Sequence, residues 1–401
     1  MKNLRKLILG TASATIAFAS LDSIASAQTA APAAPAAAPM AMPSMSGPSA
    51  NPAPMSFDLT GSGLDFLIGK VYVTGALTGM AYGQTNALQV TADKDVYADL
   101  TNGQVIVQKT DGFFQWYVEA GAYSFPTIGV PYVSSGPTTG ATFSAVPEAF
   151  VKLAFTDSFN VEAGKLPTLI GNEYNFTFQN LNVQRGLLWN QEPAVSRGVQ
   201  ANYSSGPLTV SLSLNDGYYT DRYNVLSGLI SYGFNGGADT LAFAASGNLG
   251  TTDFFSKSGT APIFNSDTIY NLIYTHTSGA WTISPYLQYL TVPKSALLGS
   301  ATKGGSSTSG AVLISYALDD NWKLPFRFEY VSTSGAYNFL YGKGSNAFSF
   351  TVTPTYQYKV FFIRPEVSYV SAGSTTAGSA IGPAGKNTDQ FRFVLESGIV
   401  F

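Results

Sequence analysis

Leu208-Thr209-Val210-Ser211-Leu212-Ser213-Leu214-Asn215 alternates an apolar residue with a polar one at every step. An extended strand throws successive side chains to opposite faces, so this ribbon has one greasy side and one wet side. The same period of two recurs at Phe326, Phe328 and Tyr330, which alternate with Arg327 and Glu329. It recurs again at Phe348, Phe350 and Val352, which alternate with Ser349, Thr351 and Thr353. A soluble sandwich and a membrane barrel both produce this pattern, and the gaps between strands separate them. Strands are expected near 67–83, 100–109, 113–124, 146–155, 159–166, 195–203, 207–216, 224–234, 239–247, 267–277, 280–291, 310–318, 323–333, 346–357, 360–371 and 390–401. Each is close to the ~9–11 residues that a tilted membrane strand needs. Short turns such as Thr110-Asp111-Gly112, Ser204-Ser205-Gly206 and Ser278-Gly279 alternate with longer loops rich in Gly, Ser and Thr. Short turns at one end and long loops at the other mark an outer-membrane barrel. The expected fold is therefore all-β: a transmembrane antiparallel up-and-down barrel of about sixteen strands, or fourteen if weak segments such as 100–109 fall away.

Composition agrees. Charged residues make up 11% of the 401-residue chain, and 40 glycines and 13% aromatics fill the gap. A soluble domain carries about 25% charge, and a disordered chain is poor in aromatics. Mean hydropathy is only +0.10, and past the leader no apolar run is long enough for a spanning helix. The net charge of -3 gives no footprint for nucleic acid. Cysteine is absent, which excludes disulfides and thiolate metal sites.

Lys2, Arg5 and Lys6, then the uncharged Leu7 to Ala19, then Ala25-Ser26-Ala27 read as a signal peptide over 1–27, cut after Ala27. The cut chain has 18 Lys/Arg against 23 Asp/Glu, a net charge of -5. Residues 28–56 hold no charge and carry Pro32, Pro35, Pro39, Pro43, Pro48, Pro52 and Pro54, so they read as an extended periplasmic tail. The barrel is expected over 57–401.

Aromatics stand beside the short turns: Phe113, Phe114, Phe155, Phe159, Tyr203, Phe234, Trp281, Trp322, Tyr358 and Phe361. Their repetition suggests an interfacial girdle. In the last segment Phe391, Phe393, Leu395, Ile399 and Phe401 share one face. A strand ending on Phe401 resembles the signal read by the outer-membrane assembly machinery.

By alternation Glu119, Glu148, Lys152, Glu162, Arg327, Glu329, Arg364, Glu366, Arg392 and Glu396 point inward. An Arg or Lys facing lipid at mid-membrane would cost roughly 2–4 kcal/mol. These charges either line a wet pore and set its ion preference, or pair with one another and brace the wall. The longest gap, about 167–195, carries Glu173, Arg185 and Glu192 among aromatics, with Arg197 just beyond it. A loop of this length inside a compact domain is usually functional or disordered, and the aromatics favour function. Folded inward it would constrict the pore; the alternative is a surface cap.

Gly164-Lys165-Leu166, Gly171-Asn172-Glu173, Arg185-Gly186-Leu187-Leu188 and Gly198-Val199-Gln200-Ala201 together resemble the OmpL-like β-barrel porins. Phe362-Ile363-Arg364-Pro365-Glu366-Val367 is similar to that family's Arg-x-Glu strand. The resemblance is dense over 146–235. It implies a Gram-negative outer-membrane porin that passes small solutes and contacts outer-membrane lipid, and it allows a homotrimer. A structural or adhesive protein with a plugged lumen is the alternative. No cofactor or metal is expected. His276 is the only histidine, which excludes a multi-histidine site. It has no Gly-x-Ser-x-Gly elbow to serve. Asp319-Asp320-Asn321 lacks the ligands of a calcium loop, and Lys303-Gly304-Gly305 has no helix to make a phosphate cradle. An enzyme is not expected.

Overall fold

The computed structural model describes residues 54–90 and 92–401. The expected leader and residues 28–53 of the expected tail lie outside them.

Eighteen strands occur among the described residues: β1 Met55–Asp58, β2 Lys70–Gln84, β3 Val96–Lys109, β4 Phe114–Tyr123, β5 Glu148–Ala154, β6 Phe159–Pro167, β7 Val195–Ser205, β8 Leu208–Asn215, β9 Val225–Phe234, β10 Asp239–Asn248, β11 Thr268–Ser278, β12 Trp281–Val292, β13 Gly305–Ala317, β14 Trp322–Gly335, β15 Asn346–Val352, β16 Thr355–Tyr358, β17 Phe361–Gly373 and β18 Asp389–Val400. Each pairs antiparallel with its neighbours, and β18 returns to β2 through pairs such as Val400 with Ala76. The ring closes on sixteen strand positions, as the alternation predicts. Closure leaves no open sheet edge within the membrane, where an unpaired backbone group would find no water. Two short segments make up the difference. β1 lies outside the ring against the start of β2. β16 continues the position of β15, since both pair with β14 and β17. Thr353 and Pro354 interrupt that strand, and proline has no N–H for the ladder.

The turns at one end are short, and eight longer connections emerge at the other. On β8, Leu212 and Leu214 are exposed while Ser211, Ser213 and Asn215 are buried, so the apolar residues face outward and the polar ones inward. A soluble core would do the reverse. The turn-side aromatics stand on the outer surface: Phe113, Phe155, Phe159, Tyr203, Phe234, Trp281, Trp322, Tyr358 and Phe361 are all exposed.

The seam between the last and first ring strands is tight. Phe401 exchanges backbone hydrogen bonds with Gly75, N to O at 2.9 Å and O to N at 2.7 Å. A Cβ at Gly75 would stand 2.6 Å from the Phe401 ring and 2.7 Å from the Gln104 carbonyl, so only glycine fits.

The packed interior lies inside the ring. Phe176 and Phe178 pack with Tyr123, Val195 and Phe362. Leu187 and Leu188 pack with Ile128, Tyr286, Val331 and Val370. These side chains leave water in the lumen rather than lipid, so each fully buried Leu or Phe contributes roughly 1.5–3 kcal/mol. Much of that interior is loop.

Candidate functional site

Segment 168–194, between β6 and β7, folds into the barrel and crosses it. Gly171 N–H reaches Asn271 Oδ1 of β11 at 3.0 Å, and Asn172 reaches the Ser284 hydroxyl of β12 at 2.8 Å. Asn175 donates to Glu148 of β5 at 2.9 Å, and Thr177 to Glu396 of β18 at 2.6 Å. Asn182 donates to the hydroxyl of Thr353 at 2.7 Å, and Gln191 accepts from Ser307 of β13 at 3.0 Å. The segment is thus moored to walls that face one another.

The inward Arg-x-Glu pairs explain how an irregular backbone is held there. Residues two apart on a strand share a face, so each pair presents a donor fork beside an acceptor. On β17, Arg364 donates to the carbonyls of Thr177 (2.7 Å) and Asn180 (2.9 Å). Glu366 accepts from the N–H groups of Val183 (2.6 Å) and Gln184 (3.0 Å). On β14, Arg327 donates to the carbonyl of Gln184 at 2.6 Å, and Glu329 accepts from Leu188 N–H at 3.3 Å. The arginines take loop carbonyls and the glutamates take loop amides, which satisfies groups that a buried loop would otherwise leave bare. Charge closes within the cluster: Arg327 meets Glu173 at 2.6 Å and Glu329 at 3.1 Å, and Arg364 meets Glu396 at 2.6 Å.

A second segment comes with it. Thr127 pairs with Arg185 in a short parallel bridge, through Ile128 N–H to the Arg185 carbonyl at 3.0 Å and Arg185 N–H to the Pro126 carbonyl at 2.8 Å. Arg392 of β18 donates to the carbonyls of Thr127 and Val130, both at 3.1 Å, and to the side chains of Gln84, Gln184 and Gln390. The 124–147 loop therefore also dips inward, which the sequence reading missed. Its signal was the apolar run Ile128-Gly129-Val130 set between Pro126 and Pro131.

The expected site residues fall into three groups, with Arg197 outside them. Glu173, Arg185, Glu192, Arg327, Glu329, Arg364, Glu366, Arg392 and Glu396 are buried around the crossing segment. Glu119 and Glu148 face each other across β4 and β5, fully buried. Tyr117 and Gln104 donate to Glu119, and Asn175 to Glu148. Lys152 and Glu162 are register partners on β5 and β6. Arg197 lies apart, at the loop end of β7, where it grips Asp216 at 2.7 Å, pairs with Asp221 and covers the Tyr219 ring at 3.8 Å. His276 binds Asp239 through Nδ1 at 2.6 Å at the turn end.

Burial perturbs the loop's own charges. Desolvation pushes the Glu192 carboxyl up to about 8, against the Tyr286 hydroxyl that donates to it at 2.9 Å, with Glu173 and Glu329 adding repulsion. Desolvation likewise raises Glu173, opposed by Arg327. It lowers Arg185 to about 10, opposed by Glu173 and Glu396.

Open space remains on the turn side of segment 168–194, between it and the walls of β6–β13. This cavity of about 860 Å³ is lined by Asn160, Glu162, Asn202, Thr240, Thr277 and Ser284 among others, under a roof of Leu169, Ile170 and Leu181.

A family model described as "Putative beta-barrel porin-2, OmpL-like" matches residues 70–401. The chain belongs to that family. This porin is an outer-membrane β-barrel, and its family and fold are those of an outer-membrane channel. No curated protein matches it. The anion-selective porin of Comamonas acidovorans resembles it with a TM-score of 0.54 at 11% identity, over 82% of this chain and 99% of that one. The outer membrane channel DcaP of Acinetobacter baumannii gives 0.54 at 12%, over 82% and 97%. A trimer form of OmpT, an outer membrane protein of Vibrio cholerae, gives 0.54 at 13%, over 82% and 99%. At such identities the likeness is one of fold.

Proposed function

We propose that this porin lets small hydrophilic solutes and ions diffuse passively down their gradients, filtered where segment 168–194 narrows the lumen. The observation that carries this reading is the mooring of that segment to opposite walls, from Ser284 on β12 to Glu148 on β5 and Glu396 on β18. A ring of sixteen strands is wide enough for an aqueous channel, so the inward loop sets the cut-off. The wall charges act on solute indirectly: Arg327, Glu329, Arg364 and Glu366 are spent on the loop backbone and fix its position. Protein reconstituted in a planar bilayer in concentrated KCl is expected to give discrete conductance steps. A bilayer that stays silent at every voltage overturns the reading.

Silence would favour the second reading, a structural or adhesive protein with a plugged lumen. The fully buried side chains of Phe176, Leu187 and Leu188 inside the ring favour it. Outer-membrane lipid is the solvent of the outer face in either case. A homotrimer fits the small residues on the outside of β2–β4.

A further inference from the structure

The turn-side cavity has a chemistry of its own. Its mouth is a ring of neutral polar side chains near the turn ends of six strands: Asn160 on β6, Asn202 on β7, Thr209 on β8, Ser231 on β9, Thr240 on β10 and Thr277 on β11. Part of this ring is pre-ordered. Asn202 donates to Asn160 Oδ1 at 2.9 Å and accepts from Ser211 at 2.7 Å and Gln200 at 2.9 Å. Further in, the wall turns apolar: Leu229, Ile273 and Leu313 join Ile170 and Leu181 of the crossing segment. Hydroxyls and amides thus ring an opening that ends beneath aliphatic surface.

Charge is scarce in this space. No Lys or Arg lines it, and its carboxylates are Glu162 and Glu173. Glu173 is held by Arg327 at 2.6 Å, and Glu162 has Lys152 as its register partner. An organic anion entering here would lose water and gain no fixed countercharge, and a cation would meet only Glu162, set against its register partner Lys152, so either ion loses more hydration than it recovers. A neutral solute with several hydroxyls loses little, because Ser, Thr and Asn replace its water hydrogen bonds while its C–H faces meet Leu and Ile.

We propose that the cavity is a vestibule selective for small uncharged polyhydroxylated solutes, sugars and polyols, over organic ions of equal size. This rests on the porin reading. The test is swelling of proteoliposomes made with the full barrel, using three six-carbon solutes: sorbitol, gluconate and protonated glucosamine. Sorbitol is expected to enter at least about tenfold faster than either ion, a difference of about 1.4 kcal/mol in barrier. Gluconate or glucosamine entering as fast as sorbitol overturns the proposal and leaves the porin reading standing. Exclusion of all three from liposomes whose protein also passes no KCl current overturns both. Thr240→Lys, at the water-facing mouth, adds one cation to the path. It is expected to raise the gluconate-to-sorbitol entry ratio severalfold. An unchanged gluconate-to-sorbitol ratio places the cavity off the path and overturns the proposal.

Discussion

Arg327 is fully enclosed and holds four groups at once: Glu173 of the loop, Glu329 of its own strand, the carbonyl of Gln184 and the hydroxyl of Thr351. Removing one member of a buried ion cluster strands the others without compensation, which typically costs 3–5 kcal/mol. Arg327→Met is therefore expected to destabilise the barrel by about that much, read as a lower unfolding temperature in detergent. Adding Glu173→Gln should recover part of the loss. Gly186 sits in the same cluster, where a Cβ would overlap the Glu329 carboxylate and stand 2.7 Å from Glu173 Oε2. Glu192 adds a pH dependence. Its folded-state carboxyl is raised to about 8 from 4.5, by burial first and then by Glu173 of the same loop and Glu329 of β14, against the hydrogen bond from Tyr286 of β12. A raised carboxyl contributes its stability below the unfolded value and loses it as pH rises through the folded one. The loop's anchorage should thus be firm below about pH 4.5 and weaken toward pH 8. Channel noise recorded across this window should rise with pH, and Glu192→Gln should flatten the rise.

In the proposed channel, segment 168–194 is the element that sets the filter. Replacing it with a short Gly-Ser link leaves the β6–β7 pairing from Phe159 with Tyr203 to Pro167 with Val195 in place, so the ring should still close. Single-channel conductance should then rise severalfold. An unchanged conductance would mean that the segment does not limit flow. The strands around it were largely legible in the sequence because outward and inward residues differ so sharply, as in β8 and β18. Where that contrast fades, boundaries moved. β13 begins at Gly305 rather than 310, because Gly305-Ser306-Ser307-Thr308-Ser309 has no greasy side to alternate. β3 begins at Val96 rather than 100, since a bulge at Thr101 breaks the alternation and leaves Thr101 and Asn102 both buried. Pro354 splits one expected strand into β15 and β16. At the site, alternation gives the direction of Arg327 or Glu366 but not its partner. Glu173 finds Arg327 and Thr177 finds Glu396 only through the closed ring, across sequence separations no local pattern encodes.

At the scale of the molecule, the outside of the barrel is uneven. On β8–β15 it is bulky: Leu212, Ile230, Phe243, Leu287, Phe328 and Phe348 are exposed. On β2–β4 it is low, with Gly79, Ala81 and Gly83 beside Ala98, Gly103 and Ala120, and with Leu77, Val96 and Val105 standing up as knobs. Bulky side chains are good partners for fluid lipid tails. Between protein surfaces in a membrane, small residues let backbones approach and gain dispersion contacts along the whole strand. If β2–β4 of one copy meet a second and third copy, one large side chain in their middle should separate them. It should do so without touching the ring, since Ala81 is exposed and packs against no interior group. Ala81→Trp is therefore expected to keep the heat-modifiable migration of a closed barrel while shifting the detergent-corrected mass from trimer to monomer. Leu287→Trp, on the bulky side, should leave the mass unchanged. A trimer that survives Ala81→Trp would move the interface to another face, and a wild-type protein with the mass of one chain would leave the low face to lipid.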